Sequence, residues 1–243
     1  MAGTAVAEKK DQAVAAFDDD FLREAEELGG AGRTKGIDDN VVPFLSLLQD
    51  MSPEVKKRDP AYVEGAEPGM ILNKATKTVH KELVVQPWAA DRCINQWKPR
   101  DSGGGFKGRH PLVGSVEESM KKAGGESKPD PKDPEKTIWV LPNGDELLDT
   151  RYVYVNVVNE DGSFMPAVIS FSSTGHTAAK QWSTLRNASK LPGGKEHPIW
   201  FRKYRMLAKA KSNNKGDFFV LDFADMGDDG WVKDKILRDA ARE

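Results

Sequence analysis

RYVYVNVVNEDGSFMPAVISFSS, residues 151–173, decides the fold class. Residues 151–158 are β-branched and aromatic throughout, a composition that suits a pleated strand. Asn159-Glu160-Asp161-Gly162 supplies a hairpin turn, and FMPAVISFSS returns as the second strand. Thr174 is then placed to cap a helix in which Ala178, Trp182 and Leu185 recur at spacings of four and three. LPGGKEHP (191–198) breaks that helix. WFRKYRMLAKAK (200–211) alternates like a long strand, SNNKGD turns, and FFVLDF (218–223) comes back.

Upstream the punctuation is denser. Short strands are expected around 69–73 and 82–89, and TIWVLPNG (137–144) reads as a strand running into a turn. Pro43 inside NVVPFLSLLQ (40–49) argues for an edge strand or extended piece. QWKPRDSGGGFKGRHP (96–111) reads as a long loop, and residues 114–136 as a mobile insertion with no more than one helical turn. Residues 1–36 form an acidic flexible tail with a short helix, FLREAEELG, behind Asp18–Asp20. A final amphipathic helix is expected within 233–243. The fold class is therefore mainly β (α+β): an OB-fold-like antiparallel barrel with one inserted helix over 37–232, plus the flexible N-terminal tail.

Composition narrows the setting. Hydrophobic residues make up 38% and charged residues 30%, so the chain reads as a polar protein with a modest core. No apolar run reaches the roughly 18 residues of a membrane span, and no secretory signal is read at the N-terminus. A single cysteine, Cys93, excludes an intramolecular disulfide and suits a reducing compartment, so a cytoplasmic location is expected. The net charge of −2 hides an asymmetry. Residues 195–215 carry seven bases against one acid, and 92–110 carry five against one. The first 30 residues and residues 217–243 are acidic. Two basic segments between acidic ends can form a local polyanion site on a near-neutral chain.

Reactive constellations are sparse, and no enzyme activity, metal or cofactor is expected. His80, His110, His176 and His197 are isolated from one another and from Cys93, which argues against a structural zinc. Gly103–Gly108 matches GxGxxG literally, but Arg109-His110-Pro111 follows where a phosphate loop needs a helix. Asp225, Asp228 and Asp229 lie in a glycine-rich turn, which suits solvation better than a two-metal nuclease centre.

Binding of single-stranded nucleic acid needs cations for phosphates and aromatic faces for bases, and two segments supply both. In the glycine loop, Trp97 and Phe106 alternate with Lys98, Arg100, Lys107 and Arg109. In the aromatic-basic strand the candidates are Arg202, Lys203, Tyr204, Arg205, Lys209 and Lys211, and Lys180 joins them from the helix. A polar glycine loop has little core to offer Trp97 and Phe106, whereas core packing competes with stacking for Trp200, Phe201 and Tyr204. Single-stranded DNA is the expected partner. A non-catalytic phage structural or assembly protein, and a metal-dependent nucleic-acid enzyme, remain the alternatives.

PAVISFSSTGHTAAKQWSTLRN followed by HPIWFRKYRMLAKAKSNNKGDFFVLDF resembles the single-stranded-DNA-binding proteins of tailed bacteriophages. PFLSLLQDMSPEV, EPGMILN and GGGFKGRHP extend the likeness over roughly residues 40–232. The resemblance implies an OB-fold, cooperative or dimeric binding of single-stranded DNA, and partnership with replication or recombination enzymes. It departs at the end of the chain. KDKILRDAARE is mixed in charge where proteins of that type carry an acidic tail, which puts recruitment by the C-terminus in doubt.

Overall fold

The computed structural model describes residues 41–242 apart from 132, 192, 214 and 215. The expected acidic tail and short helix of residues 1–36 lie outside the described residues. From Val42 onward the chain belongs to one unit, Val42–Glu243.

The long strands set the architecture. β4 (Glu82–Trp97) and β8 (Glu146–Val158) pair antiparallel along most of their lengths, with Val85 opposite Val157 and Cys93 opposite Thr150. β8 continues through the NEDG turn into β9 (Phe164–Ser172), the hairpin read from the sequence. β10 (Tyr204–Asn213) and β11 (Gly216–Asp225) form the second expected hairpin, and β10 pairs with the first quarter of β4. β1 (Phe44–Leu47), β2 (Ile71–Asn73) and β3 (Val79–His80) complete the order β11-β10-β4-β8-β9-β1-β2-β3. Off this path, β5 (Phe106–Pro111) pairs with β4, and the hairpin of β6 (Glu126–Asp130) and β7 (Asp133–Val140) joins β8 through β7. The result is a mainly β chain whose sheet curls into a half-barrel.

β4 can bend because its ladder shifts register between Pro87 and Ala89. Pro87 has no N–H to give, and a bulge is where a central strand tolerates that loss and turns sharply. Beyond the bulge β4 leaves β10 and takes β5 as its neighbour. The extra residue also breaks the period-two pattern, which is why the expected strand over 82–89 in fact runs to Trp97.

The inner face of the curl is covered by α2 (Gly175–Ala188), the helix expected after Thr174. Ala178, Ala179 and Trp182 are buried with Val153, Val155, Ile169 and Met206 in the main core. Trp182 stacks on Phe223 with ring centroids 3.9 Å apart and meets Tyr204 edge-on at 5.9 Å. Aromatic contacts of this kind add to area burial, so the helix is tied to β10 and β11 as well as to its neighbour β9.

Four expectations are corrected. Segment 96–111 is a strand hairpin, with its tip at 98–105, in place of a long loop. Segment 114–136, expected as a mobile insertion with one helical turn, carries α1 (Val116–Lys122), opened by a reciprocal Ser115–Glu118 capping box, and the arms of the β6–β7 hairpin. The strand expected from Trp200 begins at Tyr204, because Pro198 introduces a 3-10 turn over Ile199–Phe201. The sheet is also not wholly antiparallel, since β1 runs parallel to β9 with Phe44 opposite Val168. The closing helix, α3 (Lys235–Ala240), lies where expected and is capped by Asp234.

Candidate nucleic-acid interface

β8 has two unlike faces. Val153, Val155 and Val157 point into the core beneath α2, so Tyr152 and Tyr154 point the other way. On this outer face they meet Phe44, Cys93 and Val168. Trp88, at the β4 bulge, lies 5.2 Å from Tyr154. Asn95 donates to Thr150 Oγ1 at 3.0 Å and to Tyr152 Oη at 2.7 Å, which fixes the phenol.

β5 adds charge to this face. Arg109 pairs across the ladder with Asn95, and its guanidinium stands 4.3 Å over the Tyr152 ring. Burial works against the charge on Arg109, but Tyr152 and hydrogen bonding to Tyr154 outweigh it, so its pKa lies above the ordinary guanidinium value. Trp97 follows Cys93 and Asn95 at period two, and Phe106 is its cross-strand partner, ring edge to ring face at 5.4 Å. Trp97 is 38% exposed and Phe106 51%. Lys107 occupies the extra position of a bulge and is exposed. At the tip, Gly103, Gly104 and Gly105 all have positive φ, a conformation the triple glycine permits. Lys98 donates its backbone N–H to Gly105 at 2.9 Å, and the backbone of Arg100 opens a 3-10 turn. Beside the tip lies an open cleft of about 810 Å³ between Trp97, Pro99, Leu148 and the β7 residues Ile138 and Val140.

The second basic set stands apart. Arg205, Lys209 and Lys211 are exposed and share the outer face of β10, because Tyr204 and Met206 fill the core. Arg205 pairs with Val84 whereas Arg109 pairs with Asn95, which separates the sets by roughly 36 Å of strand at about 3.3 Å per residue. The C-terminal segment crosses the face between them. Gln86 donates to the carbonyls of Trp200 and Leu237 at 2.8 and 3.3 Å and accepts from Asn156 at 3.0 Å.

Four expected residues do not join either set. Arg202 is 3% exposed, ion-paired with Asp225 and stacked 4.4 Å over Trp231. Tyr204 is 1% exposed, and burial pushes its phenol pKa up. Neither has a face for a ligand, because the strand turns its other side outward. Lys180 is exposed on α2, which packs on the opposite side of the sheet from the aromatic row. Lys203 is half-buried, with its N–H bonded to the Gly230 carbonyl at 2.7 Å. Conversely, Trp88, Tyr152, Tyr154 and Phe44 belong to the row and were not singled out from the sequence. The period-two alternation of Tyr152 and Tyr154 was the available signal.

Residues 9–243 match the family described as Pam3 phage gp34-like protein. The chain belongs to that family. No curated protein and no solved structure matches it. As a Pam3 phage gp34-like protein it is a phage protein, which agrees with the setting that the resemblance to phage proteins implied. Among the described residues of this family member no group of three or more His, Cys, Asp or Glu side chains could hold a metal ion. Among them, too, no helix is long and apolar enough to cross a membrane.

Proposed function

We propose that the protein binds single-stranded DNA along the outer face of β5, β4 and β8, as a binding protein and not as an enzyme. The observation that carries this reading is the set of partly exposed rings Phe106, Trp97, Tyr154 and Trp88 on one face, with the Arg109 guanidinium held among them over the buried ring of Tyr152. Bases stack on such rings at about 1–3 kcal/mol each, and the phosphates need cations alongside. Lys107 and Arg109 on β5 supply them, while Glu146, opposite Trp97, borders the row on the β8 side. That polarity favours phosphates along β5 and bases towards β8. The half-barrel with α2 between β9 and β10 supports the finer OB-fold-like reading of the architecture.

A second reading, a phage structural or assembly protein, is favoured by the cleft beside the hairpin tip. Its walls of Trp97, Pro99, Ile138, Val140 and Leu148 suit an apolar protein segment. The test is fluorescence anisotropy of a labelled oligonucleotide of about 30 nucleotides, enough for more than one site per chain. Tight, salt-sensitive binding of the single strand with weak duplex binding supports the first reading. No binding of either at low salt removes it and leaves the second.

A further inference from the structure

On the side of the sheet away from the aromatic row, Arg92 and Arg151 stand directly opposite each other on β4 and β8. Like charges in that position repel, and a third guanidinium, Arg186 of α2, lines the same cleft. We propose that this cleft, about 490 Å³ between α2 and the sheet, is a binding site for a phosphate-type oxyanion.

The charges in the cleft are only partly balanced. Asp149 takes the Arg92 fork at both oxygens, at 2.8 and 2.6 Å, so that guanidinium is neutralised and fixed in orientation. The Nε atoms of Arg151 and Arg186 are buried and have no hydrogen-bond partner. Asp91 lines the mouth, but its carboxylate accepts the Arg92 backbone N–H at 2.7 Å. Arg186 lies 4.9 Å over the Trp182 ring, and burial holds its pKa below the ordinary guanidinium value with no carboxylate acting on it. Two guanidinium groups with unmet donors are thus held at the edge of the core. Planar N–H forks match the tetrahedral oxygens of a phosphate, and Ser183 adds a hydroxyl on the same wall.

The ligand is a terminal phosphate or pyrophosphate group, carried either by a free small molecule or by a nucleic-acid strand that wraps the edge of the sheet. Isothermal titration of the full chain with inorganic pyrophosphate tests the site. One equivalent is expected to bind. Arg186→Gln is expected to weaken binding about tenfold or more, the effect of losing one charge-assisted contact. Ser183→Asp, which places a carboxylate in the cleft without removing a core side chain, is expected to weaken it at least as much. Thermal melting of each variant checks folding, and Trp97→Ala on the opposite face should leave pyrophosphate binding unchanged. If Arg186→Gln also weakens oligonucleotide binding and pyrophosphate competes with the strand, the strand's own phosphates occupy the site. If oligonucleotide binding is untouched, the ligand is a free phosphate compound. No pyrophosphate binding by the wild type, or equal binding by wild type and Ser183→Asp, overturns the proposal whatever the outer face binds.

Discussion

The Arg109 guanidinium lies 4.3 Å above the ring of Tyr152, and Asn95 on the strand between them bonds the Tyr152 hydroxyl. A cation is thereby held in place over an aromatic row that it would otherwise leave for water. Because the arginine is already ordered, little side-chain entropy remains to be lost when a phosphate arrives. Arg109→Gln is therefore expected to lower single-strand affinity and to reduce the slope of log K against log salt by about 0.7, the contribution of one phosphate contact. Anisotropy titrations at four salt concentrations check this. An unchanged slope would place the phosphates elsewhere.

Trp97 and Phe106 rest on each other at the hairpin tip but keep much of their surface in water, 38% and 51%. Each loses binding when truncated and little else. Trp97→Ala or Phe106→Ala should weaken oligonucleotide binding by about 1–3 kcal/mol. The melting temperature should move only slightly, since exposed substitutions away from caps and cores usually cost under about 0.5 kcal/mol. Lys180→Ala, on the other side of the sheet, should change neither quantity.

Much of the fold was legible because local chemistry agreed with tertiary pairing. The NEDG turn fixes its connection by itself and the strands around it follow, and α2 begins behind Thr174 although that side chain makes no capping hydrogen bond. The segments that were misread share a cause, which is one feature that breaks a period. The bulge at Pro87 conceals the second half of β4, and the triple glycine conceals that residues on either side of it pair as strands. The capping box Ser115-Val116-Glu117-Glu118 was in plain view. Composition, dominated there by lysine, proline and glycine, pointed away from it. For the interface, the charge of the 195–211 stretch was visible but not its division. Alternation turns Tyr204 into the core and Arg205 out, and Arg202 is drawn under Trp231 by Asp225, a partner distant in sequence. Tyr152 and Tyr154 sit in a run that is β-branched and aromatic throughout, so its composition does not separate their face from the core face.

Gln49 closes the curl. Its side chain donates to the Phe219 carbonyl and accepts from the Phe219 N–H, both at 2.9 Å, so one amide does the work of a strand residue on the edge of β11. Gln49→Ala leaves both backbone groups without that partner, and a cost of about 1–3 kcal/mol is expected, or less if water replaces it. Hydrogen exchange reads the effect locally. The Phe219 amide should exchange faster in the variant while that of Val155, in the centre of the sheet, keeps its protection. Uniform acceleration across the sheet would mean that Gln49 supports the whole fold and not one edge.

Trp182 carries the attachment of α2, being 1% exposed and stacked on Phe223. Trp182→Ala should cost about 3–5 kcal/mol, within the range for large aromatic truncations in a core. Urea unfolding followed by circular dichroism measures it. Trp182→Phe, which keeps a ring against Phe223, should recover more than half of the loss. Failure of both variants to differ would show that the site collapses around the smaller side chain.

Acid should weaken the protein through His176. This imidazole stands 3.2 Å from the Asp149 carbonyl and 3.4 Å from its carboxylate, with the charges of Arg151 and Arg92 opposing its protonation and a buried Nδ1 that has no partner. Burial holds its pKa below the ordinary value against the pull of Asp149. The folded state therefore disfavours the proton that the unfolded chain accepts below about pH 6.5. Stability is complete above that pH and falls as the pH drops from it towards the lowered folded value. Asp149 acts further down. Burial raises its pKa, but the Arg92 hydrogen bond and charge bring it below the usual carboxylate range, so its contribution is lost only below about pH 4. Urea unfolding at pH 7.5, 6.0 and 5.0 separates the two, since His176 acts in that window and Asp149 does not. His176→Gln should flatten the dependence between pH 7.5 and 5.0 and leave the acid limb intact. A variant as pH-sensitive as the wild type would assign the loss to another group.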